Sequence, residues 1–364
     1  MIKSVRYEYL ILLNRFLKLF NQSVISPGKD TPHVIIPRPL RKGDTIGVTA
    51  PSFGVTDQTD IARFSNGVSK LNELGYDVRC TPDVFPEDPE KICAPAEQRV
   101  DEFVSLLNDD SVGCIIAAKG GDYQIDMLPI MDWDAVEKNP KWIQGYSDNT
   151  VLLFKITAEH DIATVYGSNF GDFGMEPWHR SVSENLQFLG GDLRTQRSFE
   201  YHEAGFKDRS SGLEPISEDE RTIWRSTSRD VSFQGRLIGG CMDVLEWYHH
   251  SNKADVGGFI DRYSSEGIVW FMETYDMTEE RVRRMFRGMK KDGWLEGASG
   301  FVFGRPLFYT GNDYADVISE ELSELEVPLV FDADVGHKAP RMVFANGLPA
   351  RFDIKSGACT LTYQ

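Results

Sequence analysis

The stretch Val112-Gly-Cys-Ile-Ile-Ala-Ala118 runs directly into Lys119-Gly-Gly-Asp-Tyr-Gln124 and then into the helical-looking Ile125–Met131. An apolar run of this length reads as a strand buried on both faces, as in a parallel sheet. A glycine-rich turn from such a strand into a helix is where open α/β sheets place ligands, because backbone N–H groups there can meet negative charge.

The alternation extends in both directions. Upstream, Arg41-Lys-Gly-Asp44 is a turn, Thr45–Thr49 a short strand, Ile61–Leu74 a helix stopped by Gly75, Tyr76–Cys80 a second strand and Gln98–Leu107 a second helix. Downstream, Trp142-Ile-Gln-Gly-Tyr-Ser-Asp148 is a short strand running into a polar corner, and Asn149–Glu159 is the helix after it. Ser147 therefore sits on a second strand-to-helix turn of the same sheet. Strands alternating with helices specify an α/β, doubly wound parallel sheet.

From Glu203 to Asp230 the chain is rich in Ser, Glu and Arg with little periodicity, which reads as a linker or long loop. Beyond it come Gly235–Gly240, a helical Cys241–His250, the strand Gly267–Glu273, an arginine-studded helix Thr278–Lys291, the strand Ala298–Phe303 and a strand-rich end. This half reads as an α+β domain with a mixed sheet. The expected organisation is an extension over 1–40, an α/β domain over 41–200, a linker over 201–231 and a C-terminal domain over 232–364, with a cleft between the domains.

Composition narrows the function. Of 364 residues, 41% are hydrophobic and 26% charged, as expected of a globular protein. The net charge of −17 argues against nucleic acid or an anionic membrane as partner. Residues 1–42 differ, with eight Lys and Arg against two Asp and Glu. Their apolar stretch Tyr7–Phe20 is broken by Asn14, Arg15 and Lys18 before it reaches a membrane span, so it reads as an amphipathic extension or a start codon set too far upstream. Cys80, Cys93, Cys114, Cys241 and Cys359 are odd in number and contain no C-x-x-C pair, which fits a reducing cytoplasm and neither a zinc site nor a disulfide framework. His249-His250 has no further ligand at metal-binding spacing.

Three residues stand where a cleft would present them: Ser147 on its turn, Glu273 ending an apolar strand, and His337 in the loop Asp334–Pro340. A serine hydroxyl becomes a nucleophile when a histidine accepts its proton, and that histidine needs a carboxylate to fix its tautomer. The strict G-x-S-x-G turn is absent, because Asn149 stands where its second glycine would be. Taken singly, a loop serine, a strand-end glutamate and a loop histidine are each commonplace, and spacing alone does not bring them together.

The ordered motifs add what spacing cannot. They are Gly43-Asp-Thr-Ile-Gly47, Gly120-Gly-Asp122 with Leu128-Pro129, Asn139-Pro-Lys141, Gly145-Tyr-Ser-Asp148, Tyr166-Gly167, Gly239-Gly240, Phe271-Met-Glu273 with Arg281–Phe286 after it, Gly304 and His337. From about Leu40 to Asp353 the sequence resembles the serine LD-carboxypeptidases and the related microcin-immunity peptidases. The resemblance implies a Rossmann-like N-terminal domain with Ser147 as nucleophile and a C-terminal domain supplying Glu273 and His337. It implies an oxyanion hole from the backbone amides of Asp148 and Gly121, a homodimer, and no metal or cofactor. The glycine turn, with Gly120, Asp122 and Tyr123, is expected to meet the substrate. Lys119-Gly-Gly-Asp-Tyr123 and the insert at Glu203–Asp230 look more like the microcin-immunity branch, in which an aromatic such as Trp178 would stack on the ligand's base. The implied substrate is a small peptide or an aminoacyl-nucleotide conjugate; murein tetrapeptide, or a binder without turnover, is the alternative. Arg281, Arg283, Arg284 and Arg287 follow Glu279 and Glu280 on one helix and are expected to form local ion pairs, with one of them within reach of a substrate carboxylate.

Overall fold

Parallel pairing in the first half goes with strands that are buried throughout. In the computed structural model, which describes residues 33–87, 92–228, 230–251 and 254–364, β1 (Thr45–Thr49), β3 (Val112–Ala117), β4 (Trp142–Gly145) and β5 (Thr164–Tyr166) are buried at every residue. With the half-exposed edge strand β2 (Asp77–Cys80) they pair in parallel in the order β5-β4-β3-β1-β2. The stretch Tyr7–Phe20 lies outside the described residues.

The second half is built around β10 (Asp230–Cys241), β11 (Ile268–Glu273), β12 (Ala298–Gly304) and β13 (Leu329–Ala333), which are parallel neighbours. Antiparallel strands flank them: β15 (Pro349–Lys355), β16 (Ala358–Tyr363) and β6 (Thr195–Arg197) on one side, β9 (Arg225–Ser226) on the other. The mixed sheet is as expected. Short β7 (Tyr201–His202) and β8 (Glu220–Arg221) pair separately, and β14 (Phe344–Asn346) runs antiparallel to β5 on the edge of the first sheet. Residues Val34–Gln364 pack as one compact unit. Among the described residues no helix is long and apolar enough to cross a membrane.

Three departures from the sequence reading have physical causes. Ile125–Met131 is no α-helix but a 3₁₀ segment, Gln124–Ile130, containing Pro129, which lacks an N–H and clashes with a continuing α-helix. Helices Arg180–Leu189, Val256–Tyr263 and Tyr314–Leu322 went unread; each is short enough for its apolar spacing to be ambiguous. The insert after Glu203 is not a free linker. Arg63 donates to the carbonyls of Gly212 (2.7 Å) and Glu214 (3.0 Å), and Trp224 is buried with its indole N–H on Asp334 (3.1 Å).

The two sheets meet through helix Thr150–His160. Thr150 Oγ1 donates to the Ser147 carbonyl (2.7 Å) and accepts the Cys241 amide at the end of β10 (2.9 Å), and the Tyr248 hydroxyl donates to the Val151 carbonyl. Gly240, φ +150°, permits this approach, since a Cβ there would stand 2.5 Å from Thr150 Cγ2. Phe154 of the same helix packs on Tyr248, Trp270 and Trp294 at ring separations of 5.7, 6.2 and 6.1 Å. Phe154→Ala should cost about 3–5 kcal/mol of unfolding free energy in a denaturant titration; a loss under 1 kcal/mol would show that this seam does not bear on stability.

Candidate active site

The chain leaves β4 through an extended Tyr146 (φ −144°, ψ 179°) and turns sharply at Ser147, φ +67°, before the segment Ser147–Asn149 leads into helix Thr150–His160. A left-handed conformation at a non-glycine residue costs about 1–2 kcal/mol and persists only where its surroundings enforce it. Here the Ser147 N–H donates to Tyr166 Oη (3.0 Å), and its carbonyl accepts from Thr150. Gly120 makes the room, because a Cβ there would lie 2.9 Å from Ser147 Cβ and 3.0 Å from Oγ.

Asn149 has its own task. Its Nδ2 donates to the carbonyls of Lys119 and Tyr146 (3.0 Å each) and its Oδ1 accepts from Gln124 (3.0 Å), tying the glycine turn to the serine turn. Gln124, fully buried, also accepts from the Leu152 amide (3.0 Å). A glycine at 149 would remove this tie.

The structure brings the three sequence-predicted residues together across 190 residues of chain. The Ser147 hydroxyl donates to His337 Nε2 (2.9 Å), and His337 Nδ1–H donates to Glu273 Oε2 (2.8 Å). Glu273 Oε1 accepts from the Tyr166 hydroxyl (2.5 Å). Glu273 ends β11 and is fully buried. Burial alone would raise its pKa; the charge and hydrogen bond of His337, the Tyr166 hydroxyl and the Arg341 charge outweigh it and hold the carboxyl below its ordinary value. Glycines make the pocket for it: a Cβ on Gly336 (φ +102°) would stand 2.5 Å from Glu273 Oε2, and one on Gly304 would stand 2.8 Å from Glu273 Cβ. Arg341 braces the histidine loop, donating to Gly336 O (2.6 Å), Asp172 (2.8 Å) and the Tyr146 hydroxyl (3.1 Å) while stacking on the Tyr146 ring.

Ser147 and His337 open onto a cavity of about 510 Å³ that Gly120, Gly121, Asp122 and Asp148 also line. A second cavity of about 380 Å³ adjoins it and shares Tyr146, Phe206 and His337. Tyr123 and Trp178 line neither. Tyr123 lies tilted against Phe53 of the first cavity at 5.5 Å, its carbonyl taken by buried Arg99 (2.7 Å). Trp178 donates its indole N–H to the Phe173 carbonyl (2.7 Å) and meets the Phe173 ring edge-on.

Sequence reasoning missed Phe206, Asp243, Trp247 and Tyr275 in the first cavity wall. Asp243 and Tyr275 each lie two residues beyond a strand end, β10 and β11, which is where parallel sheets present ligand contacts. Phe206 gave no signal. The arginines of helix Glu279–Lys291 reach mainly to neighbouring helices rather than along their own: Arg281 and Arg284 pair with Glu246 and Arg283 and Arg287 with Glu321, while Arg283–Glu279 (2.9 Å) is the local pair of the kind expected. None of the four lines either cavity. His249 bonds Asp292 (2.9 Å).

Residues 46–167 match the LD-carboxypeptidase N-terminal domain, and residues 234–352 match the LD-carboxypeptidase C-terminal domain. The chain belongs to the LD-carboxypeptidase family. Within it, the chain is similar to the microcin C7 self-immunity protein MccF of Escherichia coli, 25% identical over 91% of this chain and 97% of that one. It is also similar to a putative carboxypeptidase of Vibrio cholerae, 26% identical over 86% and 93%. Its fold matches MccF in complex with glutamyl sulfamoyl guanosine at a TM-score of 0.75, with 24% identity over 90% of this chain and 98% of that one. LD-carboxypeptidase membership makes the protein a peptidase-type hydrolase.

Two measurements test this geometry. Gly336→Ala should part Glu273 from His337, lowering both the melting temperature and turnover; a variant with wild-type values of both would contradict the crowding at Glu273. Burial pushes the Asp148 carboxyl up to about 6, against hydrogen bonds from Ser52 and the Gln124 amide. A raised folded-state value contributes stability that is present below about pH 4 and lost as pH rises through about 6. The wild-type minus Asp148→Asn difference in unfolding free energy should fall by on the order of 2–3 kcal/mol from pH 4 to pH 7; a flat difference would refute it.

Proposed function

We propose that this LD-carboxypeptidase family member hydrolyses an amide bond near the carboxyl end of a small peptide or of an aminoacyl-nucleotide conjugate, through an acyl-enzyme on Ser147. The observation that carries the proposal is the continuous Ser147–His337–Glu273 hydrogen-bonded chain, at 2.9 and 2.8 Å, opening onto a cavity beside the glycine turn.

Ser147 Oγ attacks the scissile carbonyl carbon while His337 Nε2 takes its proton. Glu273, ionised, stabilises the imidazolium and keeps Nδ1 protonated. The oxyanion is received by the backbone N–H of Asp148, with a second donor from the turn at Gly121. In support, a Cβ on Gly120 would lie 3.7 Å from Asp148 N, so the two turns face one space. As the C–N bond breaks, His337 returns the proton to the leaving amine. Water then attacks the ester, gives its proton to His337, and the acid departs as Ser147 recovers its own.

The substrate class draws on relatives. Solved MccF structures hold glutamyl sulfamoyl guanosine and aspartyl sulfamoyl adenosine, and a Bacillus subtilis relative, 24% identical over 73% of this chain, is named a probable murein peptide carboxypeptidase. The homodimer, the cytoplasmic setting and the domain division at 201–231 belong to the same proposal.

Purified wild type and Ser147→Ala should be assayed side by side on an aminoacyl sulfamoyl adenosine and on murein tetrapeptide. Wild type should turn over one of them, and the variant should lose on the order of 10⁶ in kcat. Near-normal turnover by the variant removes Ser147 from the mechanism, and the preferred substrate decides between the branches.

A further inference from the structure

Tyr166 ends β5 beside β4, and the register pairs it with Gly145, two residues before the serine. Its side chain is fully buried, its ring tilted against Phe271 at 5.6 Å, and it lines neither cavity. Its hydroxyl serves both halves of the site. It accepts the Ser147 N–H at 3.0 Å and donates to Glu273 Oε1 at 2.5 Å. With Glu273 on His337 and His337 on Ser147 Oγ, the hydrogen bonds form a closed ring that begins at the serine backbone and ends at the serine side chain.

We infer that Tyr166 is the positioning residue of this reaction, its hydroxyl holding Ser147 in its left-handed turn while orienting the carboxylate that faces His337. The inference rests on the proposed Ser147 mechanism.

Three consequences of the geometry support it. First, the Ser147 N–H is spent on Tyr166, so the nucleophile's own amide cannot receive the oxyanion, which leaves that task to Asp148 and the glycine turn. Second, Glu273 Oε1 is buried, and a buried carboxylate oxygen without a donor is costly. The other polar groups facing Glu273 are engaged elsewhere or on the opposite oxygen. His337 takes Oε2, the Tyr314 hydroxyl goes to Met242 Sδ (3.0 Å), the Cys241 thiol goes to Asp243 (3.4 Å), and Arg341 spends its donors on Gly336, Asp172, Tyr146 and the His337 carbonyl. Among the described residues, Tyr166 is the donor that satisfies Oε1. Third, the phenol remains protonated, because burial and the Glu273 charge push its pKa well up. It therefore acts as a donor to Glu273 at every working pH, while its lone pair accepts from Ser147.

The test is Tyr166→Phe, which keeps the buried ring. Relative to wild type, kcat should fall by about 10- to 100-fold, as for other groups that orient a functional side chain, with KM changed less than about threefold. The pH profile separates positioning from a structural role. Without the phenol, the Glu273 charge concentrates toward His337 and favours the imidazolium, so the acid limb of kcat/KM should move to higher pH. A variant that only folds less well would lose activity equally at every pH, leaving the limb in place, and that result overturns the inference. Should Tyr166→Phe fail to fold, 3,5-difluorotyrosine at 166 keeps the hydroxyl and makes it a stronger donor. The limb should then move to lower pH, and an unmoved limb again refutes the role. Ser147→Ala, run alongside, keeps the two readings apart. Turnover surviving in that variant sinks the nucleophile assignment, whereas an inactive Ser147→Ala beside a wild-type-like Tyr166→Phe sinks only this inference.

Discussion

The site depends on one backbone conformation, the left-handed turn at Ser147. Such a turn aims a serine out of the sheet, and its cost must be met by the surroundings. The surroundings here are specific: a tyrosine oxygen for the amide, a threonine hydroxyl for the carbonyl and a glycine where a Cβ would meet Ser147. Two of these supports reach across the fold. Tyr166 continues to Glu273, and Thr150 continues to the Cys241 amide on the second sheet. The groups that enforce the turn are thus the groups that join it to its partners.

The second constraint is room for a buried charge. Glu273 ends a strand that is buried throughout, and its carboxylate persists there because two donors and a nearby arginine outweigh desolvation. Donors alone do not suffice, since the side chain must also fit. Gly304 on the neighbouring strand and Gly336 immediately before His337 leave the space that any Cβ would fill. The histidine loop can therefore close over the carboxylate at hydrogen-bond distance, and Arg341 fixes it from the far side.

Much of this was legible in the chain, and the rest was hidden for identifiable reasons. The first sheet could be read because parallel strands buried on both faces leave continuous apolar runs such as Val112–Ala117. Ser147, Glu273 and His337 were readable as a set through ordered motifs, although none of them stands out alone. Asn149 looked like a departure from a pattern, yet with Gln124 it forms the tie between the two turns. Tyr166 could not be assigned a task at all, since its two partners lie 19 and 107 residues away and only the assembled sheets bring them together.

That dependence on assembly has a consequence for how site and stability are linked. Ser147 and the glycine turns belong to strand ends of the first sheet, whereas Glu273 and His337 belong to the second. Neither set completes the Ser147–His337–Glu273 chain by itself. The seam made by Thr150, the Tyr248–Val151 bond and the packing of Phe154 sets their register, and it runs directly beneath Ser147. A shift along that seam of an ångström, about the margin between a hydrogen bond and none, would leave both sheets folded while opening the Ser147–His337 contact. Packing at the seam is therefore held to a tighter tolerance than folding requires, because it also sets the distance over which a proton is passed.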